Sequence, residues 1–128
     1  MISFYKGHTP EEKDMKVKSG IAVPTGAALK FDSNGDLELA TGTNKPEFIS
    51  VNAPIAATTS NMKIAVAVID KSRTQEWIAD ASVSISNLKL GSKVTLASSG
   101  DAITATTASG IVEAIEILEA KKAVVKFD

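Results

Sequence analysis

The chain has 128 residues, 14 basic and 15 acidic side chains, one His, no Cys and a net charge of -1. That length makes one domain, which buries about 65–70% of the surface of its unfolded chain and needs no covalent staple. No disulfide, thiolate zinc site, iron–sulfur cluster or Cys nucleophile can be built, and His8 alone argues against a Ser-His-Asp triad or a multi-His metal site.

The balanced charge gives no cationic field for a phosphate backbone, and the single Arg, Arg73, leaves little for bidentate base readout, so no nucleic-acid partner is expected. No membrane partner is expected either. The N-terminus has no apolar signal region, and the longest apolar run, Ile64 to Ile69, is too short to span a bilayer.

Residues 1–19 crowd Lys6, Glu11, Glu12, Lys13, Asp14, Lys16 and Lys18 into a segment with little apolar periodicity. They read as an extended N-terminal arm, or as a short strand at Ile2 to Tyr5 followed by a charged loop. Thr9-Pro10-Glu11-Glu12 has the residues of a helix start, with Thr as N-cap and Pro at the first helical position. An arm with so few core-forming residues is expected to be dispensable for folding of the body from Gly20 on. Phe4 and Tyr5 stand out in it: they can add a strand to a partner's sheet, or pair with an edge strand of their own domain.

From Gly20 onward, short runs of Val, Ile, Thr and Ala cut by Gly, Asn-Gly, Ser-Gly and Pro predict strands and turns. Asn34-Gly35 lies between alternating segments at Ala28–Phe31 and Leu37–Ala40, a hairpin signal. Asp32, Asn34 and Asp36 also resemble the start of a calcium loop, but Gly35 is misplaced for one and strands flank it, so the turn is the better reading and no metal is expected. Further strands are predicted at 47–52, 62–70, 75–79, 93–97, 102–106, 111–118 and 123–127. Between Gly110 and Lys122 the spacing of Ile111, Val112, Ile115 and Leu118 also fits a helical face; the preceding Gly110 favours strand. Trp77, the only Trp, sits in the polar stretch Arg73 to Ala79 and can be a core anchor or an interface residue; the core is the default, because a small β domain needs its one large aromatic inside.

An offset of 65 residues aligns Gly26, Leu29, Phe31, Ser33, Gly35, Asp36, Ala40 and Thr41 with Gly91, Val94, Leu96, Ser98, Gly100, Asp101, Ala105 and Thr106. The fold expected is therefore mainly all-β: a small β-barrel or β-tulip-like body with an internal duplication, sub-lobes 20–87 and 88–128, and at most one or two short helices. Glycines form no phosphate-binding loop, and the carboxylates Glu38, Glu47, Asp70, Glu76, Asp80 and Asp101 are scattered as solvated strand positions are. No catalytic residue, cofactor or enzymatic activity is predicted.

The Gly-led strand ending in Phe31-Asp32, the Gly35 turn, Leu37 to Thr43, the stretch Ile49 to Ile55 and the Val-rich Ile64 to Val68 together resemble the lambda-type bacteriophage head decoration proteins. Leu90 to Leu96, Gly100-Asp101 and Gly110 to Ala114 resemble related small phage capsid proteins built from the same β module. The resemblance implies a non-catalytic virion protein, made in the host cytoplasm, that binds the outer surface of the expanded head. It implies the major capsid protein as partner and a homotrimer on the shell. An N-terminal arm that contacts the capsid maps here to residues 1–19, with Ile2, Phe4, Tyr5, His8 and Pro10 as the contact residues. The C-terminal copy, Leu88 to Asp128, departs from the simple lambda-type body. The alternative is a small β-barrel ligand- or carbohydrate-binding module of a tail or surface protein; the few aromatics weigh against it.

Overall fold

The computed structural model describes residues 1–71 and 74–128; Arg73 lies outside the described residues. The chain is all-β. It forms ten strands and, among the described residues, no helix: β1 (Ile2–Gly7), β2 (Glu12–Lys16), β3 (Ala28–Phe31), β4 (Leu37–Leu39), β5 (Phe48–Ser50), β6 (Lys63–Val68), β7 (Gln75–Asp80), β8 (Lys93–Val94), β9 (Val112–Glu119) and β10 (Lys122–Phe127). They make two antiparallel five-stranded sheets, ordered β2-β6-β5-β3-β4 and β1-β7-β10-β9-β8. Each sheet curls, and a parallel bridge brings Leu37 back to Val17 in the first and Ile103 back to Ala81 in the second. Neither closes into a barrel.

The duplication is written into the hydrogen bonds. Without β1 the second sheet runs β7-β10-β9-β8 and then to Ile103, which bridges Leu96, in the order of β2-β6-β5-β3-β4. Phe48 opposes Val68 and Ile49 opposes Ala67, as Val112 opposes Phe127 and Glu113 opposes Lys126. The amide of Lys18 donates to Leu37 O at 2.8 Å, and that of Ser82 to Ile103 O at 2.9 Å. The Val17 amide donates to Met62 O at 3.0 Å, and the Ala81 amide to Lys121 O at 2.8 Å. Coincidence of two Gly-rich turns does not reproduce registers across a whole sheet. The division between the halves falls after β6 rather than at residue 87, because β7 belongs to the second sheet, where it takes the place β2 has in the first.

Strand alternation then sets how the halves pack. In the first sheet, Leu29, Phe48 and Val66 point to one face and join Val17, Val23, Leu37 and Ile64 in a core of their own. Their neighbours Ala28, Ile49 and Ala67 point to the other face and join Trp77, Val94, Ile103, Val112, Ala123 and Val125 of the second sheet. The outer face of the first half thus fills the inner face of the second, head to tail. Where the first half has Ala28, Ile49 and Ala67, the second has Lys93, Glu113 and Lys126, and Lys93 Nζ lies 2.9 Å from Asp128 Oδ1. A charged outer face ends the stack, as it does in terminal repeats of solenoids.

Residues 1–19 do not form an arm. β1 pairs with β7 and β2 with β6, so Ile2 to Tyr5 takes the terminal-strand alternative, and the charged segment after it is a strand instead of a loop or helix start. Ile2 and Val17 are each 1% exposed, so the segment supplies both cores. The Thr9-Pro10 helix signal loses because β2 gains a full ladder with β6. The Asn34-Gly35 hairpin is present as β3–β4, but its turn is longer than a two-residue one: Asp32 Oδ1 accepts from the amides of Asn34 and Asp36 at 2.8 and 3.0 Å, and Gly35 (φ +80°) takes the left-handed position. The segment predicted at 111–118 is strand, as β9 over Val112–Glu119, and the segment predicted at 102–106 is reduced to the bridges of Ile103.

Candidate functional site

The connection from β1 to β2 crosses from one sheet to the other and leaves an open, mostly apolar cleft of about 560 Å³ between them. The β1 side contributes Ile2, Ser3 and Phe4; Pro10 and Glu12 lie at its mouth; Ile49, Val51 and Ala67 come from the first sheet, and Trp77 stands behind Phe4. The Ile2 amide donates outward to Gly26 O at 2.9 Å, across this cleft and away from β7. Ladder alternation directs the Phe4 amide the same way, so one wall carries a backbone donor as well as apolar side chains.

Of the five residues expected to contact a partner, the structure brings Ile2, Phe4 and Pro10 to this cleft. Ile2 is buried, Phe4 and Pro10 are half-buried. Tyr5 is 47% exposed beside Lys6, whose Nζ lies 5.5 Å from its ring centre, and does not line the cleft. A bulge between Phe4 and Lys6 separates it from Phe4. His8 lines a neighbouring polar cleft of about 440 Å³ with Glu11, Glu47 and Asp70. Its carbonyl accepts from Gln75 Nε2 at 3.1 Å and its amide donates to Thr74 O at 3.0 Å.

The remaining polar candidates are structural. Asp32 caps its own turn, and Asp36 lies 3.6 Å from Lys16 Nζ. Glu38 pairs with Lys30 at 3.1 Å, Glu76 with Lys6 at 4.0 Å, and Asp101 accepts from the Ser99 hydroxyl. Asp80 Oδ2 lies 2.9 Å from Met1 N. Among the described residues no three His, Asp or Glu side chains gather as metal ligands. Lys93, far from the cleft, has its pKa raised by the hydrogen bond and charge of Asp128.

Sequence reasoning missed Val51 and Ala67 as parts of the site, because they reach it only through sheet pairing; Trp77, weighed as a core anchor or an interface residue, is buried and lines the cleft from within. Gly26 is a further unforeseen member: a Cβ there would lie 2.6 Å from Ile2 O and 2.7 Å from Ile2 N, so only glycine lets β1 lie against the first sheet. Comparison with models of protein families, with curated proteins and with solved structures finds no match.

Proposed function

We propose that this protein is a non-catalytic phage virion protein that decorates the expanded capsid, binding the outer surface of the major capsid protein as a homotrimer. The observation that carries the reading is the apolar cleft at the N-terminal strands, lined by the half-buried Phe4 and Pro10, two of the residues the family resemblance assigns to the shell, with the buried Ile2 behind them. Open, mostly apolar ground with Ser3, Thr9 and Glu12 among its lining residues suits a protein partner. The duplicated β module is a second support, since both segments that resemble phage head proteins fall in equivalent positions of the two sheets. Many weak sites on one shell would add through multivalency.

The test is co-sedimentation with expanded heads and with unexpanded proheads, titrated to saturation. Saturable binding to expanded heads alone is expected, and the copies bound per capsid subunit give the site symmetry. Absence of binding to both rejects the reading. The cleft's volume also lies in the range of small-molecule sites, which favours the ligand- or carbohydrate-binding module as second reading. A glycan screen without a hit would dismiss it.

A further inference from the structure

The turn between β3 and β4 differs from its counterpart in the second half by a residue with its own chemistry. Asn34-Gly35 in the first corresponds to Ser99-Gly100 in the second. Both glycines are left-handed, with φ of +80° and +76°. Gly100 is buried: its carbonyl accepts from the Ala28 amide at 2.8 Å, and a Cβ on it would lie 3.2 Å from Leu39 Cδ2. Asn34 and Gly35 are exposed, and nothing lies within 4 Å of the position a Cβ on Gly35 would take. The turn that packs against the other half carries a hydroxyl before its glycine, and the turn in solvent carries a carboxamide.

A carboxamide next to a glycine has an internal nucleophile. The Gly35 backbone nitrogen, once its proton passes to hydroxide, can attack Asn34 Cγ. The new Cγ–N bond closes a five-membered imide, and the carboxamide nitrogen leaves as ammonia with a proton returned by water. Water then opens the ring. Cleavage of the new bond leaves aspartate; cleavage between the Asn34 carbonyl carbon and the Gly35 nitrogen leaves isoaspartate, with the chain running through the side chain. One water is consumed and one ammonia released, and no oxidant, metal or partner is needed.

The fold decides whether this pair reacts. Ring closure needs backbone rotation at Asn34 and release of the Gly35 amide, and a residue without a Cβ hinders neither. That amide donates to Asp32 O at 3.2 Å, the long end of the hydrogen-bond range, and opening an exposed turn costs little. Among the described residues the Asn34 carboxamide is in no hydrogen bond. The four other asparagines are worse placed, since none precedes a glycine. Asn44 Oδ1 accepts from the Thr41 amide, and Asn52 Nδ2 donates to Ala53 O at 2.7 Å. Asn61 and Asn87 precede Met62 and Leu88, whose side chains pack against the two cores and hold the next amide in place.

We propose that Asn34 is a site of self-modification: in the folded protein it deamidates through an imide with Gly35, to aspartate and isoaspartate. The chemistry is independent of the capsid reading. Each event adds a carboxylate between Asp32 and Asp36 and doubles the chain's net charge of -1. Isoaspartate also lengthens the backbone between the amides of Asn34 and Asp36, so Asp32 Oδ1 no longer holds both.

The test incubates the full folded chain at mildly alkaline pH and follows its isoelectric focusing, the mass of the peptide carrying Asn34, and isoaspartate by enzymatic methyl transfer. A more acidic band is expected, with a mass gain of water less ammonia at Asn34 before any other asparagine, and isoaspartate at that position. The rate should rise with hydroxide concentration. The same incubation in denaturant gives the rate of the unfolded chain, and the folded protein should react within about tenfold of it, because the turn opens locally. Asn34→Gln would have to close a larger ring and should lose the acidic band, and Gly35→Ala places a methyl beside the nitrogen and should slow the reaction. Reaction in denaturant alone, a faster gain at any other asparagine, an unchanged rate in Gly35→Ala, or aspartate without isoaspartate would overturn the proposal.

Discussion

The Phe4 ring meets the Trp77 indole edge-on, with centroids 5.6 Å apart and planes at 80°. Phe127 makes a second edge contact with the same indole at 6.1 Å. This is the join between a strand outside the repeats and the second half of the molecule. Phe4→Ala removes the ring of a half-buried residue and should cost about 2 kcal/mol, less than full burial would give. Denaturant unfolding followed by fluorescence of Trp77, the single Trp, measures it. An unchanged midpoint would mean that β1 is held by its backbone alone.

Gly26 fixes how closely β1 approaches the first sheet. Its φ is +71°, and an added Cβ would lie within 2.7 Å of two Ile2 backbone atoms. Those atoms cannot rotate away, so Gly26→Ala should cost more than about 3 kcal/mol and loosen β1. Gly35 is the control: its φ is +80°, but nothing lies within 4 Å of the position a Cβ would take. Gly35→Ala should cost only the left-handed penalty, about 1–2 kcal/mol. Equal losses at the two sites would refute the close-approach argument.

Edge strands carry charges that keep other edges away, so Glu12, Lys13, Asp14 and Lys16 look like a solvated loop when read alone. Only pairing with β6 makes them a strand, and pairing is long-range information. The segment at 111–118 shows the opposite case: Ile115 and Leu118 are extra residues at register shifts against β10, so the positions that pack inward become Val112 and Ile117, with the fully buried Ala114 opposite Val125. Bulges turn a period of two into a helix-like spacing. Turns and the repeat were legible because Gly35, Gly100 and their flanks are local chemistry. The cleft was not, since Val51, Ala67 and Trp77 reach it from three strands or their ends.

Deleting residues 2–19 should therefore unfold the protein instead of sparing its body. The deletion removes one edge strand from each sheet together with Ile2 and Val17, each 1% exposed. Loss of the cooperative transition in thermal unfolding is the expected outcome. A truncated chain that still unfolds cooperatively, with Trp77 shielded, would restore a free arm.

Ser50 is a small difference between the repeats with a measurable consequence. Its buried hydroxyl accepts from the Ala27 amide at 2.9 Å and donates to Pro24 O at 2.7 Å. In the second half the equivalent amide, Ser92, reaches Lys89 O directly at 3.0 Å, and Ala114 stands where Ser50 does. Ser50→Ala leaves the Ala27 amide without its partner, at a cost of about 1–3 kcal/mol. The second half shows that the turn can also close directly, so the lower end is expected. Ala114→Ser, which adds a hydroxyl where no relay is needed, should not stabilise; a gain in the midpoint of chemical unfolding would contradict this comparison.

The charged face that ends the stack predicts an alkaline signature. Lys93 has its pKa raised from the ordinary 10.5, first by the hydrogen bond to Asp128 and then by its charge. A raised folded-state pKa means that the pair's contribution is fully present below the unfolded pKa of about 10.4 and is lost as pH rises through the folded value. The stability difference between the protein and Lys93→Met should therefore be flat up to about pH 10 and shrink above it. Because the lysine side chain is half exposed, added salt should narrow the same difference at neutral pH. Comparing the two proteins at each pH cancels the other lysines. A difference that widens with alkalinity would mean that the Asp128 contact does not hold Lys93 charged in the folded state.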